Sequence, residues 1–285
     1  MFTVLEALIQ QSQGRLNIED DIREYIDEFR LFDNSDSKLS LRQLGSHLSG
    51  LGRDRIQLTF SVLISVLTTD INHFPGLGEQ TIQNEIEIRA PGFCDPGSTD
   101  KSNGSRICTK DEILRAIASR PLAFEPWTRP LYSNTGFNLL GWATAEAYKR
   151  KTASMPDQIG DMAVPTTMED LLRKDVFEPL GMKDSSFWVS EQKRDRVAVP
   201  SVPNFIDWEF TSSFNPYHSY SRRPNDSAGG MFTTANDLAK FVHKVLLSPN
   251  STILSTQQVR EWLSPLYVFT DRKTAVGYNR LHPPI

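Results

Sequence analysis

The chain has 285 residues, of which 39% are hydrophobic, and this is enough for a sizeable core in one large domain or two interleaved ones. Its 31 Lys and Arg residues nearly balance 35 Asp and Glu residues, for a net charge of -4. No basic block stands out, so nucleic acid is not an expected partner. No motif in the sequence calls for a cofactor.

An amphipathic helix is predicted at the start of the chain and is ended by Gly14. Its apolar face carries Phe2, Leu5, Leu8 and Ile9. No basic segment and no cleavage site accompany this helix, so a secretory signal is not predicted. The longest apolar run, Leu58 to Leu67, is too short to span a bilayer, so no membrane partner is expected. The compartment stays open.

Further helix starts are predicted from residues that cap N-terminal ends. The predicted caps are Ser40, Thr109, Thr167, Thr234 and Ser255. Thr234 and Asp237 have the spacing of a capping box. His47 is predicted to lie inside the segment that begins at Ser40, with a structural role, because a lone His near an apolar face is usually structural.

Cys94 and Cys108 flank a loop rich in Gly, Ser and Asp. In an oxidising compartment they would close a disulfide, whereas in the cytosol they would be free thiols. The sequence does not decide between these alternatives. Two cysteines alone do not make a metal site.

Three polar side chains, Tyr132, Ser133 and Asn134, stand at the beginning of an apolar segment. Pro126 and Pro130 keep the chain extended just before them. Helical spacing of apolar residues then predicts a helix from about Thr135 to about Lys149. One interpretation is a capped helix with a packed aromatic ring. The other is a site in which the helix N-terminus stabilises a phenolate or a developing oxyanion.

Four segments resemble one known family, the serine β-lactamase-like proteins, which include class C β-lactamases, penicillin-binding proteins and esterases. The segments are Leu41–Leu44 with Ser46–Leu51, Tyr132–Asn134 with Gly136 and Leu139–Gly141, Phe177–Met182, and Gly229–Met231 with Thr233–Ala235 and Asp237–Leu238. Together they span most of the chain. The Cys-bearing loop and the layout look closest to fungal members.

The resemblance implies an α/β fold, mainly helical in this chain, as a single β-lactamase-related domain over residues 1–285. The helical part of the β-lactamase/transpeptidase-like fold would be largely present and its antiparallel sheet incomplete. It also implies that Tyr132 is a general base or acid and that Asn134 orients the substrate. Ser133, Gly229 and Gly230 are expected to line the substrate site, and the partner is a small acyl compound. The oligomeric state stays open.

The family's Ser-x-x-Lys, which supplies the nucleophile and its Lys base, is not found in register. By the resemblance, that element immediately precedes a segment like Phe2 onward, so the chain is expected to be truncated there. The matches at Ser35–Lys38, Ser98–Lys101 and Ser190–Lys193 are interpreted as chance, because none opens an apolar helix.

The C-terminal end is also expected to be short. Lys273-Thr274-Ala275 is a near miss to the family's Lys-Thr-Gly, and no further strand is expected after it. With part of the sheet missing, the apolar face that carries Phe2 is expected to be partly uncovered.

Three functions are consistent with these residues. The first is a hydrolase or acyl-transferase acting on a small ester, thioester or amide, with a role in secondary metabolism among the possibilities and with activity impaired by the missing nucleophile. The second is an inactive fragment. The third is a binding protein that reuses the pocket.

Overall fold

A computed structural model describes residues 1–52, 94–95, 106–107, 109–154, 165–198, 227–270, 274–278 and 280–282. The described helices are α1 (Phe2–Ser12), α2 (Leu41–Gly45), α3 (Lys110–Ala118), α4 (Asn134–Ala153), α5 (Met168–Leu172), α6 (Glu178–Leu180), α7 (Ala235–Phe241) and α8 (Thr256–Leu263). π-helical turns follow α5 at Arg173–Phe177 and α7 at Val242–Leu246. None of the described helices is long and apolar enough to cross a membrane.

The described strands form two small sheets. β1 (Cys94–Asp95) pairs in parallel with β2 (Arg106–Ile107). β3 (Tyr267–Val268), β4 (Ala275–Gly277) and β5 (Arg280–His282) form an antiparallel sheet with β4 in the middle. The expectation that no strand follows Ala275 was therefore wrong, because three residues beyond the turn at Tyr278 are enough for β5 to pair with β4.

The predicted helix caps account for most of the helix starts. Ser40, Thr109 and Ser255 each accept a hydrogen bond from the amide three residues later, and each completes a capping box with a Gln or Glu. The helix after Thr167 continues through Pro179 and ends at Gly181, which has φ +70°.

The apolar face of α1 is covered. Leu5, Leu8 and Ile9 are buried in the main core, and the Phe2 ring packs 4.9 Å from the Phe241 ring and 6.0 Å from the Phe177 ring. The expectation of an uncovered face was wrong. The partners of Phe2 come from the π-helical turn after α5, which contains Phe177, and from the end of α7, which is Phe241.

α1 and α4 run in the same direction. Val4 and Leu140 meet beside Gly45, where an added Cβ would lie 3.2 Å from each side chain. Farther along both segments, the Arg15 guanidinium lies 4.9 Å above the Tyr148 ring. The two contacts therefore occur in the same order along both segments, first Val4 with Leu140 and then Arg15 with Tyr148. The N-terminal ends of both helices thus point the same way.

Candidate functional site

Two segments lie side by side before α4, and we call residues 46–52 and 121–132 the paired loops. Three backbone hydrogen bonds join them, each from an amide of the second segment to a carbonyl of the first. The pairs are Leu131 to His47 at 2.8 Å, Trp127 to Leu48 at 2.9 Å and Ala123 to Gly50 at 2.9 Å. This ladder sets the approach of the chain to Tyr132, because consecutive bonds leave the segment little freedom.

The closest approach of the paired loops is at Gly50. Its φ is +72°, and a Cβ added there would lie 1.9 Å from the Phe124 carbonyl oxygen. Only glycine satisfies both the backbone angle and the contact. The glycine is therefore required for the two loops to meet.

His47 lies beyond α2 and holds the start of α4. Its Nδ1 accepts the Ser133 amide at 3.1 Å, so the proton of the neutral ring is on Nε2. The imidazole is 4.7 Å from the Tyr132 ring and 4.9 Å from the Phe137 ring. The prediction that His47 lies inside the helix was wrong, because α2 ends at Gly45 and His47 has φ +62°. Its structural role is confirmed by these contacts.

Ser133 is the N-cap of α4. Its hydroxyl accepts the Gly136 amide at 2.9 Å and donates to the Gly52 carbonyl at 2.9 Å. The residue is fully buried. These contacts give Ser133 a positioning role in the fold, and its predicted contact with a substrate stays a prediction.

Tyr132 and Asn134 stand on either side of this cap. Tyr132 is 36% exposed and stacks on His47, while Asn134 is the first residue of α4. The N-terminal end of a 20-residue helix carries a positive partial charge. An oxyanion that forms during a reaction would be stabilised at this place. Their predicted catalytic roles stay predictions.

Gly229 and Gly230 follow a residue, Ser227, that lies beside α4 at Gly141. Ser227, two residues before Gly229, accepts a hydrogen bond from Thr3 Oγ1 at 2.5 Å through its carbonyl, and an added Cβ on Gly141 would lie 1.9 Å from its hydroxyl. Gly230 has φ +87°. Gly141 follows Asn134 by about two helical turns, roughly 10 Å along the axis. The segment therefore lies beside the body of α4, and substrate contact by the two glycines stays a prediction.

The Ser-x-x-Lys matches within the described residues do not form a nucleophile–base pair. Lys193 Nζ donates to the Lys183 carbonyl at 2.7 Å and pairs with Asp184 at 3.1 Å, so its hydrogen bonds are directed to these groups. Ser35 lies on an irregular turn, where its hydroxyl donates to the Ser37 hydroxyl. The match at Ser98 lies outside the described residues.

The Lys273-Thr274-Ala275 near miss does not supply a substrate-binding edge. Ala275 is fully buried, and its strand is paired with β3 on one side and β5 on the other. A strand whose edges are both paired has no free backbone groups to offer. Lys273 lies outside the described residues. The disulfide prediction also stays open, because the Cys94 side chain and all of Cys108 lie outside them.

The chain is similar to known proteins over nearly its whole length. A family model described as Beta-lactamase matches residues 1–279. Beta-lactamase-like protein 4 of Dictyostelium discoideum is 25% identical over 294 residues, which cover 99% of this chain and 42% of that protein. A beta-lactamase-like protein of Arthroderma benhamiae is 24% identical and is matched over 37% of its length. The chain thus spans less than half of these relatives.

Two solved structures share the fold. A penicillin-binding protein from Bacillus halodurans superposes with a TM-score of 0.62 at 16% identity, over 100% of this chain and 68% of that one. A D-stereospecific amidohydrolase from Streptomyces sp. superposes with a TM-score of 0.60 at 16% identity, over 98% and 67%. The predicted β-lactamase/transpeptidase-like α/β fold is confirmed.

Proposed function

The chain belongs to the beta-lactamase family. We propose that the protein acts as a serine hydrolase or acyl-transferase on a small ester, thioester or amide. One observation carries this proposal, which is the position of Tyr132. Its side chain is partly exposed at the N-terminal end of α4, one residue before the cap, and its ring stacks on His47, which also accepts the Ser133 amide. A phenol placed in this way is suited to move a proton in an acyl-transfer reaction.

In this proposal Tyr132 takes the proton from the nucleophile or returns it to the leaving group. The α4 N-terminus, with its exposed amides and helix dipole, would stabilise the oxyanion that forms on the substrate during acyl transfer. Asn134 carries a carboxamide at the same end and would orient the substrate carbonyl or amide. The buried hydroxyl of Ser133 and the ring of His47 keep both residues in place.

The direction of α1 indicates where a nucleophile on its N-terminal side would lie. Val4 is level with Leu140, which follows Asn134 by six residues, or about 9 Å of helix. Helical residues continuing α1 on its N-terminal side would therefore lie level with Asn134. The family resemblance puts Ser-x-x-Lys immediately before a segment like Phe2 onward. A serine on that turn would lie across from Tyr132.

The test compares the 285-residue chain with the same chain preceded by one helical turn that carries Ser-x-x-Lys. We expect a fluorophosphonate probe to label the extended protein on the added serine and to leave the original chain unlabelled. In the extended protein, Tyr132→Phe should slow p-nitrophenyl ester turnover by about 100-fold, the contribution of a positioned acid or base. A folded extended protein that is neither labelled nor active would contradict the proposal.

A binding protein that reuses the pocket is the second candidate. It is favoured by the position of Lys193, whose Nζ contacts the Lys183 carbonyl and Asp184 and is not presented as a base to Ser190. This candidate predicts that small acyl compounds raise the melting temperature of the 285-residue chain and that the extended protein gains no turnover.

A further inference from the structure

Trp127 adopts a backbone conformation that a tryptophan rarely takes. Its φ is +69°, in the left-handed region where the Cβ of an L-residue is crowded. Bulky residues persist there only when the surrounding structure holds them, and such residues are concentrated at binding and catalytic sites. A glycine would occupy the same place without strain, so the indole is retained at a cost to stability.

Contacts of the backbone around Trp127 keep this residue at its positive φ. Its amide donates to the Leu48 carbonyl at 2.9 Å, as one rung of the ladder between the paired loops. Nearby, the Arg129 guanidinium stacks 3.6 Å above the Phe124 ring. The residue is nevertheless 43% exposed, so the indole presents a large apolar surface to solvent. Core packing does not account for a side chain that is exposed to this degree.

Trp127 stands on the same loops as Tyr132. Leu48, which receives the Trp127 amide, adjoins His47, which receives the Leu131 amide and stacks on Tyr132. The amides of Trp127 and of Leu131, the residue before Tyr132, are thus anchored on two consecutive residues. The Trp127 indole and the Tyr132 phenol are therefore carried by one short segment, and both side chains are partly exposed.

We propose that Trp127 is a specificity-determining residue that binds the acyl part of the substrate, and that it selects flat, aromatic acyl groups. An exposed indole fixed by its backbone offers a broad face at little cost in conformational entropy. Aromatic rings gain from offset or edge-to-face packing on such a face. The proposal rests on the proposed function for the chemical nature of the bound group.

The test uses the five tryptophans as reporters, replaced by 5-fluorotryptophan in the full chain and followed by ¹⁹F NMR. Phenylacetamide is the probe and acetamide its matched control. We expect phenylacetamide to shift the Trp127 resonance saturably, with at least tenfold tighter binding than acetamide. The variants Trp127→Gly and Trp188→Gly assign the two indoles that are exposed among the described residues. A shift at Trp188 as large as that at Trp127, or none at Trp127, would overturn the proposal.

A stability measurement separates this role from a structural one. Trp127→Gly removes the strain, so we expect its melting temperature to equal or exceed that of the parent while phenylacetamide binding falls at least tenfold. A lower melting temperature would show that the indole serves packing, and the proposal would be wrong. Because no turnover is measured, the outcome is independent of probe labelling. If phenylacetamide binds at Trp127 but the fluorophosphonate probe does not label the extended protein, only the hydrolase proposal is contradicted. If the probe labels the extended protein but phenylacetamide does not shift the Trp127 resonance, only the Trp127 proposal is contradicted.

Discussion

Two regions of the protein fix a loop to the start of a helix, and they use different chemistry. At α7, the Asp237 carboxylate is buried and collects three donors: the Asp184 amide at 2.8 Å, the Ser185 hydroxyl at 3.0 Å and Lys240 Nζ at 2.7 Å. At α4, the paired loops are joined to each other by backbone amides and carbonyls, and His47 Nδ1 receives the Ser133 amide.

The difference separates a structural cluster from a candidate site. Burial by itself raises the pKa of Asp237, but its hydrogen bonds from Lys240, Asp184 and Ser185 outweigh burial and bring the pKa below its ordinary value. The Asp237 carboxylate thus uses its hydrogen-bond acceptors on protein groups in the interior. In the paired loops, the groups that position Tyr132 are backbone amides and carbonyls and the ring of His47. Part of the Tyr132 ring stays exposed. Neither the neutral His47 ring nor the Ser133 amide that it accepts is a carboxylate, so the positive end of the α4 dipole is available for a negative charge that develops on a substrate.

The largest effect is expected from breaking the paired loops at Gly50. Gly50→Ala should lower the free energy of unfolding by about 3 kcal/mol or more, because the backbone angle and the Phe124 carbonyl both oppose a Cβ. Gly181→Ala is the matched control, since Gly181 has φ +70° with nothing within 4 Å of its Cβ position. It should cost about 1 kcal/mol. Equal losses in urea denaturation would refute the role of the close approach.

Breaking the Asp237 cluster is expected to cost about 2 to 4 kcal/mol, because Asp237→Ala leaves buried donors without an acceptor. The lowered pKa means that this stabilisation is present above the ordinary carboxyl pKa and is lost as the pH falls through the folded value. Acid denaturation followed by circular dichroism should therefore begin at a higher pH in Asp237→Asn than in a variant of the exposed Glu178. Identical acid midpoints would contradict this account.

A second buried carboxyl, Glu6, tests the rule that donors decide the charge state. Its Oε1 accepts from Gln10 at 2.6 Å, and its Oε2 has no hydrogen-bond partner among the described residues. Burial, together with the carboxylate of Asp175, raises the pKa of Glu6 to about 8, against opposing effects of Gln10, Lys174 and Arg15. Glu6 therefore binds more protons in the folded state than in the unfolded one. Its stabilising contribution is full below about pH 4.5 and is lost as the pH rises through about 8.

Glu6→Gln should remove this dependence. We expect the variant to gain about 2 kcal/mol relative to the parent between pH 5 and pH 9, measured as the difference in urea unfolding free energy. Glu178→Gln, at an exposed position, is the control and should change little with pH. A parent whose stability does not fall over this range would show that Glu6 is ionised at neutral pH.

Smaller effects are expected at His47 and at Tyr132. His47→Ala should lower stability by about 1 to 2 kcal/mol, because the Ser133 amide loses its acceptor and two rings lose a neighbour. His47→Asn tolerates a positive φ and keeps an acceptor, so it should recover part of the loss. Tyr132→Phe should change stability by less than about 0.5 kcal/mol, since the phenol is exposed. A large loss there would make Tyr132 a structural residue.

Local rules explain which elements were predicted correctly. A cap such as Ser40 or Thr109 satisfies amides three residues away, so its signal lies within one turn of sequence. Thr234 caps α7 as predicted, but Asp237 does not close the capping box. Its carboxylate instead receives groups from Asp184 and Ser185, which are more than 50 positions away. No local pattern contains that information.

By itself the sequence determined the helices, their caps, the family to which the chain belongs and the pair of residues, Tyr132 and Asn134, around which a site is proposed. These depend on spacing within a few residues and on segment order. Only the tertiary structure decided that the α1 face is covered, that β5 completes a sheet, that His47 supports Tyr132 and that Trp127 is strained at its side. Each of these depends on segments that are distant in the chain, or on a backbone angle that the fold imposes, and neither can be read from neighbouring residues.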